Sequence, residues 1–139
     1  LAEGLLPNGI LYTLDVNKEL SSFAQKYFNK SIYKDQIKMI IGDATELIPK
    51  MNHQWDLVFI DADKENYSIY FDMVIEHVKP GGWIIADNVL WSGKVTKLTS
   101  NNDLETDAIK AFNKKVNSDK RVSNILMPVR DGMMLMIKN

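Results

Sequence analysis

Cysteine is missing from all 139 residues, which rules out disulfides, thiolate metal sites and cysteine nucleophiles and fits a reducing compartment. Long apolar runs are missing too. None approaches the ~18 residues of a membrane span, and the first residues do not read as a signal peptide. A soluble, cytoplasmic chain with no membrane partner is therefore expected. Neither sign of charge prevails: 17 Lys and Arg stand against 18 Asp and Glu, a net charge of −1. Without a broad basic field there is no reason to expect DNA as a partner, while a small RNA met through a local patch stays open. Proline and glycine number only 4 and 7, and no repeat, linker or low-complexity segment is visible. What is present is ordinary for a globular protein, with 45% hydrophobic and 25% charged residues. The length allows a single domain, 1–139, with a continuous core.

Apolar runs rich in β-branched residues alternate with helical patterns. Residues 10–16 (ILYTLDV), 37–43 (IKMIIGD), 55–62 (WDLVFIDA) and 83–88 (WIIADN) read as strands. Leu20, Phe23, Ala24, Tyr27 and Phe28 form one helical stripe, and 44–50 is a short helix stopped near Pro49. Tyr70, Phe71, Val74, Ile75 and Val78 line one side of a helix over 67–77. Lys79-Pro80-Gly81-Gly82 predicts a sharp turn, and 87–102 a polar loop of functional length. A helix over 104–117 would turn Leu104, Ala108, Ile109, Ala111, Phe112 and Val116 inward. The last two apolar segments, 123–129 and 133–139, are joined by Arg130-Asp131-Gly132, a hairpin signal. This order predicts an α/β fold: a Rossmann-like, doubly wound, mostly parallel sheet with an antiparallel C-terminal hairpin. Leu1 to Leu6 reads as the tail of a helix, so the first strand and glycine-rich turn usual in such folds are expected upstream.

In open α/β sheets, ligands bind beyond the carboxyl ends of the strands. The predicted strands end in Asp15, in Asp43, in Asp61 with Asp63, and in Asp87 with Asn88. Any one of these acids is as readily a helix cap or a turn former. Four at one edge concentrate negative charge that calls for a counter-ion. Asp61, Asp87 and Asn88 supply two carboxylates and an amide oxygen, hard ligands suited to Mg²⁺, or to Mn²⁺ or Ca²⁺. Zinc is not expected, since His53 and His77 read as surface or packing residues. Asp15 closes a strand after which a ribose commonly lies, and Gly42-Asp43-Ala44 suits the edge and face of an adenine. Lys64 lies near the predicted metal and could take a proton from a bound hydroxyl; it could equally be a solvated lysine at a helix start.

Three blocks carry a resemblance: FIDADKENYSIYF (59–71), GGWIIADNVLWSGKV (81–95) and MPVRDGMMLMIK (127–138). They resemble the cation-dependent class I O-methyltransferases, the family of the caffeoyl-CoA and catechol O-methyltransferases, from about Leu11 to the end. The resemblance implies that Asp61, Asp87 and Asn88 hold Mg²⁺, with Asp61 also near the methionine part of S-adenosylmethionine. It implies that Asp15 binds the ribose, that Asp43 and Ala44 border the adenine, and that Asp63 is a further cofactor contact. Lys64 would be the general base, and Trp91 and Ser92 would edge the acceptor pocket. The acceptor would be a catechol-like or other small phenol; its identity, including a hydroxylated nucleoside in RNA, stays open. A homodimer would be usual for the family. The family's Glu-x-Gly-Thr-x-x-Gly-Tyr-Ser strand and loop would fall before Leu1, and weak cofactor binding and an unfilled or rearranged sheet are expected without it.

Three rival readings accompany this one. The first is a nicotinamide dehydrogenase with Asp15 on the ribose, which lacks its glycine loop equally and leaves Asp87-Asn88 unexplained. A haloacid-dehalogenase-type phosphatase would use Asp61 as nucleophile and Asp63 as acid and base. That pattern expects Thr or Val where this chain continues Lys64-Glu65, and it leaves the Trp91 block without a role. A non-catalytic folding or dimerisation piece of a methyltransferase is the third.

Overall fold

The computed structural model describes residues 1–98 and 103–139. They form two compact units, Leu1–Met51 and Asn52–Asn139. The first holds strand β1 (Leu11–Asp15), helix α1 (Lys18–Phe28), strand β2 (Ile37–Ile41) and the one-turn helix α2 (Ala44–Leu47). β1 and β2 run parallel, pairing Leu11 with Ile37 and Asp15 with Ile41. Asn17 caps α1 by accepting the Glu19 N–H, and Asp43 caps α2 in the same way from Thr45. The predicted stripe of α1 is present, but its larger members stay in solvent: Phe23 is 61% and Tyr27 55% exposed. The two rings stand with their centroids 4.9 Å apart.

The second unit carries the buried core. It comprises β3 (Trp55–Ile60), α3 (Tyr67–Ile75), β4 (Val78–Asp87), α4 (Leu104–Ser118), β5 (Val122–Met127) and β6 (Met133–Lys138). The strand order is β3-β4-β6-β5: β3 and β4 are parallel, whereas β6 runs antiparallel to both β4 and β5. The α/β architecture and the C-terminal hairpin are thus as predicted. β4 starts earlier than its expected first residue, Trp83. Val78 pairs with Trp55 and Trp83 with Leu57, so the Lys79–Gly82 turn is looped out as an irregularity inside the ladder. Of the loop predicted over 87–102, residues 99–102 lie outside the described residues.

The α3 face is buried as expected at Tyr70, Phe71, Val74 and Ile75, with Tyr67 added to it, while Val78, expected on the same face, is buried as the first residue of β4. Burying side chains of this size contributes about 1.5–3 kcal/mol each. α4 packs its Phe112 ring edge-on against Tyr67 and Phe71. Its buried face is Thr106, Ile109, Phe112 and Val116. Leu104, 63% exposed, and Ala111 do not belong to it. Leu104 follows the Asp103 cap at the very start of the helix, and Ala111 falls outside the i, i+3, i+4 path set by Ile109, Phe112 and Val116. Among the described residues no helix is long and apolar enough to cross a membrane.

Candidate active site

Parallel pairing fixes the geometry of the site. Ile60 of β3 sits beside Ala86 of β4, so Asp61 and Asp87 leave adjacent strands at the same end. Asp87 in turn pairs with Met133, which brings the β5–β6 turn to that edge. The result is an open depression of about 600 Å³, whose lining includes Asp61, Asp87, Asn88, Ser92, Arg130 and Asp131. Three predicted metal ligands and one predicted acceptor-side residue therefore share one concavity.

Lys64 lies beside them and is only 7% exposed. Its Nζ donates to the Asp61 carboxylate at 3.3 Å, to the Asn88 side-chain oxygen at 3.2 Å and to the Tyr67 hydroxyl. The ammonium also stands 4.6 Å from the Tyr67 ring centroid and 5.7 Å from that of Trp91. A solvated lysine at a helix start would make none of these contacts, so that alternative does not hold here. Tyr67, fully buried, passes the connection on by donating to the Asp87 carbonyl at 3.1 Å. Burial, followed by the nearby Asp61 and Asp87 carboxylates, pushes its phenol far above the usual value. Tyr67 therefore remains a neutral hydroxyl that accepts from Lys64 and donates to the strand end.

The backbone around the depression is strained. Among the described residues, the non-glycine positions with positive φ are Asn88 (59°), Trp91 (48°), Ser92 (53°) and Arg130 (52°). Such a conformation costs roughly 1–2 kcal/mol for an L-residue, and strain of this kind clusters at functional sites. Several bonds hold the strained loop in place. Val89 and Leu90 donate to the carbonyls of Gly132 and Asp131, Ser92 N–H donates to the Asp131 carboxylate, and Asn113 on α4 donates to the Val89 carbonyl. The Trp91 indole Nε1 is buried without a hydrogen-bond partner, beside the cationic groups of Lys64 and Lys94.

The remaining predicted residues are placed differently. Asp63 accepts from Tyr70 hydroxyl and from the Asn66 amide, closing the turn into α3. In the other unit, the Asp15 carboxylate receives the Asn17 N–H at 2.8 Å. The Asp43 carboxylate receives both the Thr45 hydroxyl and the Thr45 N–H, which hold it below the ordinary carboxylate range. Gly42 N–H donates to the Asp15 carbonyl, so these two acids leave their strands at one end; Ala44 opens α2 directly after Asp43. Tyr67, Arg130, Asp131 and Asn113 are the site residues that sequence reasoning passed over. The pattern did signal three of them: Tyr67 lies inside the 59–71 block, and Arg130 and Asp131 inside the Arg130-Asp131-Gly132 hairpin signal.

The donor set suits a hard divalent cation. Among the described residues no group of three or more His, Cys, Asp or Glu is placed to hold a metal, so a site here needs the amide oxygen of Asn88 beside the two carboxylates. That oxygen is already turned toward a positive charge, the Lys64 ammonium, which lies between it and Asp61.

The profile of the family described as O-methyltransferase matches residues 1–139. The chain is 34% identical over 135 residues to the Dictyostelium discoideum protein named "Probable caffeoyl-CoA O-methyltransferase 2", covering 94% of this chain and 58% of that one. It is 30% identical over 146 residues to the catechol O-methyltransferase of Niastella koreensis, covering 99% and 66%. The solved O-methyltransferase of Bacillus cereus, in complex with SAH, superposes with a TM-score of 0.92 at 27% identity over 99% of this chain and 66% of that one. The chain thus spans somewhat under two thirds of the length of these relatives. With its whole length matched by that family's profile, the chain belongs to the class I S-adenosylmethionine-dependent O-methyltransferase family, on the branch of the caffeoyl-CoA and catechol enzymes.

Proposed function

We propose that this chain carries the acceptor and metal side of an O-methyltransferase that moves a methyl group from S-adenosylmethionine to a hydroxyl of a catechol-like or other small phenol. The observation that carries the reading is the convergence of Asp61, Asp87 and Asn88 on one depression with the buried Lys64 beside them. A hard divalent cation such as Mg²⁺ on those three ligands would polarise and orient two vicinal acceptor oxygens, and S-adenosylmethionine would supply the methyl.

The chain's own residues supply the rest. Lys64 Nζ stands 3.3 Å from an Asp61 oxygen and 3.2 Å from the Asn88 side-chain oxygen and is the group proposed to take the acceptor proton. Tyr67 fixes it from below and remains neutral itself. Trp91 and Ser92 edge the acceptor side, and their loop is pinned by Asp131 and Asn113, so the acceptor meets a preformed wall. Holding nucleophile and methyl in near-attack geometry is the expected source of much of the rate. Asp15, Asp43 and Ala44 are proposed to contact the ribose and adenine, and Asp63 to serve the cofactor through the turn that it closes. A homodimer and a cytoplasmic setting belong to the same proposal, resting on family habit and the lack of cysteine.

The test is methyl transfer to a vicinal dihydroxyphenol, followed by product mass with and without a chelator. Lys64→Met should lower the rate by ~10²-fold or more while its circular dichroism spectrum matches wild type. Transfer that survives both chelation and the substitution would sink the proposal.

A further inference from the structure

One charged residue in the depression lacks a task. Arg130 lines it together with Asp61, Asp87 and Asp131 and is its one cation among the described lining residues. Despite those carboxylates, it makes no hydrogen bond or ion pair among the described residues. Its backbone sits at φ 52°, where glycine is comfortable and an arginine costs roughly 1–2 kcal/mol. The hairpin turn alone gives no reason for a long cationic side chain at that point.

We infer that Arg130 is a specificity residue that receives a carboxylate borne by the acceptor, at the end of the molecule away from the reacting hydroxyls. The inference rests on the proposed O-methyltransferase reading. A guanidinium presents a planar donor fork matched to a carboxylate, and this one is unspent by any partner among the described residues. A lone guanidinium in a lining with three acids balances a monoanion better than a phosphate dianion. Val129 and Met133 border the same depression and offer apolar contact to the face of a ring. The ligand class is thus an aryl carboxylate with vicinal hydroxyls.

The experiment titrates a vicinal dihydroxybenzoate, and separately its uncharged carboxamide, into the full chain with Mg²⁺ and S-adenosylhomocysteine present. Wild type is compared with Arg130→Gly and Arg130→Gln. Wild type should bind the acid about tenfold more tightly than the amide, the scale of one charge-assisted pair at a solvent-accessible rim. Both substitutions should bring the two affinities together to within about twofold. Arg130→Gly suits the local backbone, so its unfolding midpoint should not fall, which separates loss of preference from loss of fold. Equal affinities in wild type, or a preference that persists in both variants, overturns the assignment to Arg130 alone. Binding of neither compound to wild type overturns the acceptor-site reading and this inference with it.

Discussion

Lys64 shows what a single side chain can report. A buried ammonium needs acceptors close by, or burial would cost several kcal/mol. Lys64 finds Asp61, Asn88 and Tyr67, two of which are proposed metal ligands. The same alphabet reads less clearly at Asp43. There the carboxylate caps α2 through Thr45, and the structure gives it a cap's bonds whatever else it binds. Its folded value lies below the ordinary 3.8, so its contribution to stability is present above about pH 4 and is lost as pH falls through the lowered value. Asp43→Ala should therefore melt below wild type at pH 7, and the gap should close progressively in melts run down to pH 3. A gap that is constant with pH would mean that the charge has no part in the cap. Aspartate at a strand end was legible in the sequence, but its job was not. Caps and ligands use the same short carboxylate, and only the partners tell them apart.

At the scale of elements, helices and strands were legible because their periodicities are strong and Asn, Asp and Gly punctuate them. The faces were less so. α1 has an amphipathic stripe that remains largely exposed within its unit, and α4 buries Thr106 where Leu104 was expected. Hydropathy ranks side chains, whereas burial follows the path that the neighbouring elements cover. The turn at Arg130-Asp131-Gly132 was read as a connector only. In the structure it is the clamp of the site loop, receiving Val89 and Leu90 on its carbonyls. Gly132 makes that approach possible: its φ is 80°, and a Cβ there would fall 2.5 Å from Leu90 Cγ. Gly132→Ala should cost about 2 kcal/mol or more, seen in urea unfolding. It should also lower the affinity of Mn²⁺, because the loop that carries Asn88 must shift. A variant as stable as wild type would show that the loop and hairpin are not locked together.

For the whole molecule, the α/β plan and the family were legible in three blocks, while the depression itself was not, because its lining comes from separate strand ends and a distant hairpin. Asp61 and Asp131 are far apart in sequence, and only the β3-β4-β6 order brings them to one edge. The chain divides into two compact units, and the proposed metal ligands all lie in the second, on a parallel strand pair with a buried core beside it. Metal binding should accordingly depend on that unit's own residues. The measurement that tests this most directly is a Mn²⁺ titration followed by electron paramagnetic resonance, with S-adenosylhomocysteine present, on wild type and on Asp61→Ala, Asp87→Ala and Asn88→Ala. One saturable site in wild type is predicted, weakened about tenfold or more by each substitution. No saturable site, or one that all three variants retain unchanged, would contradict the account.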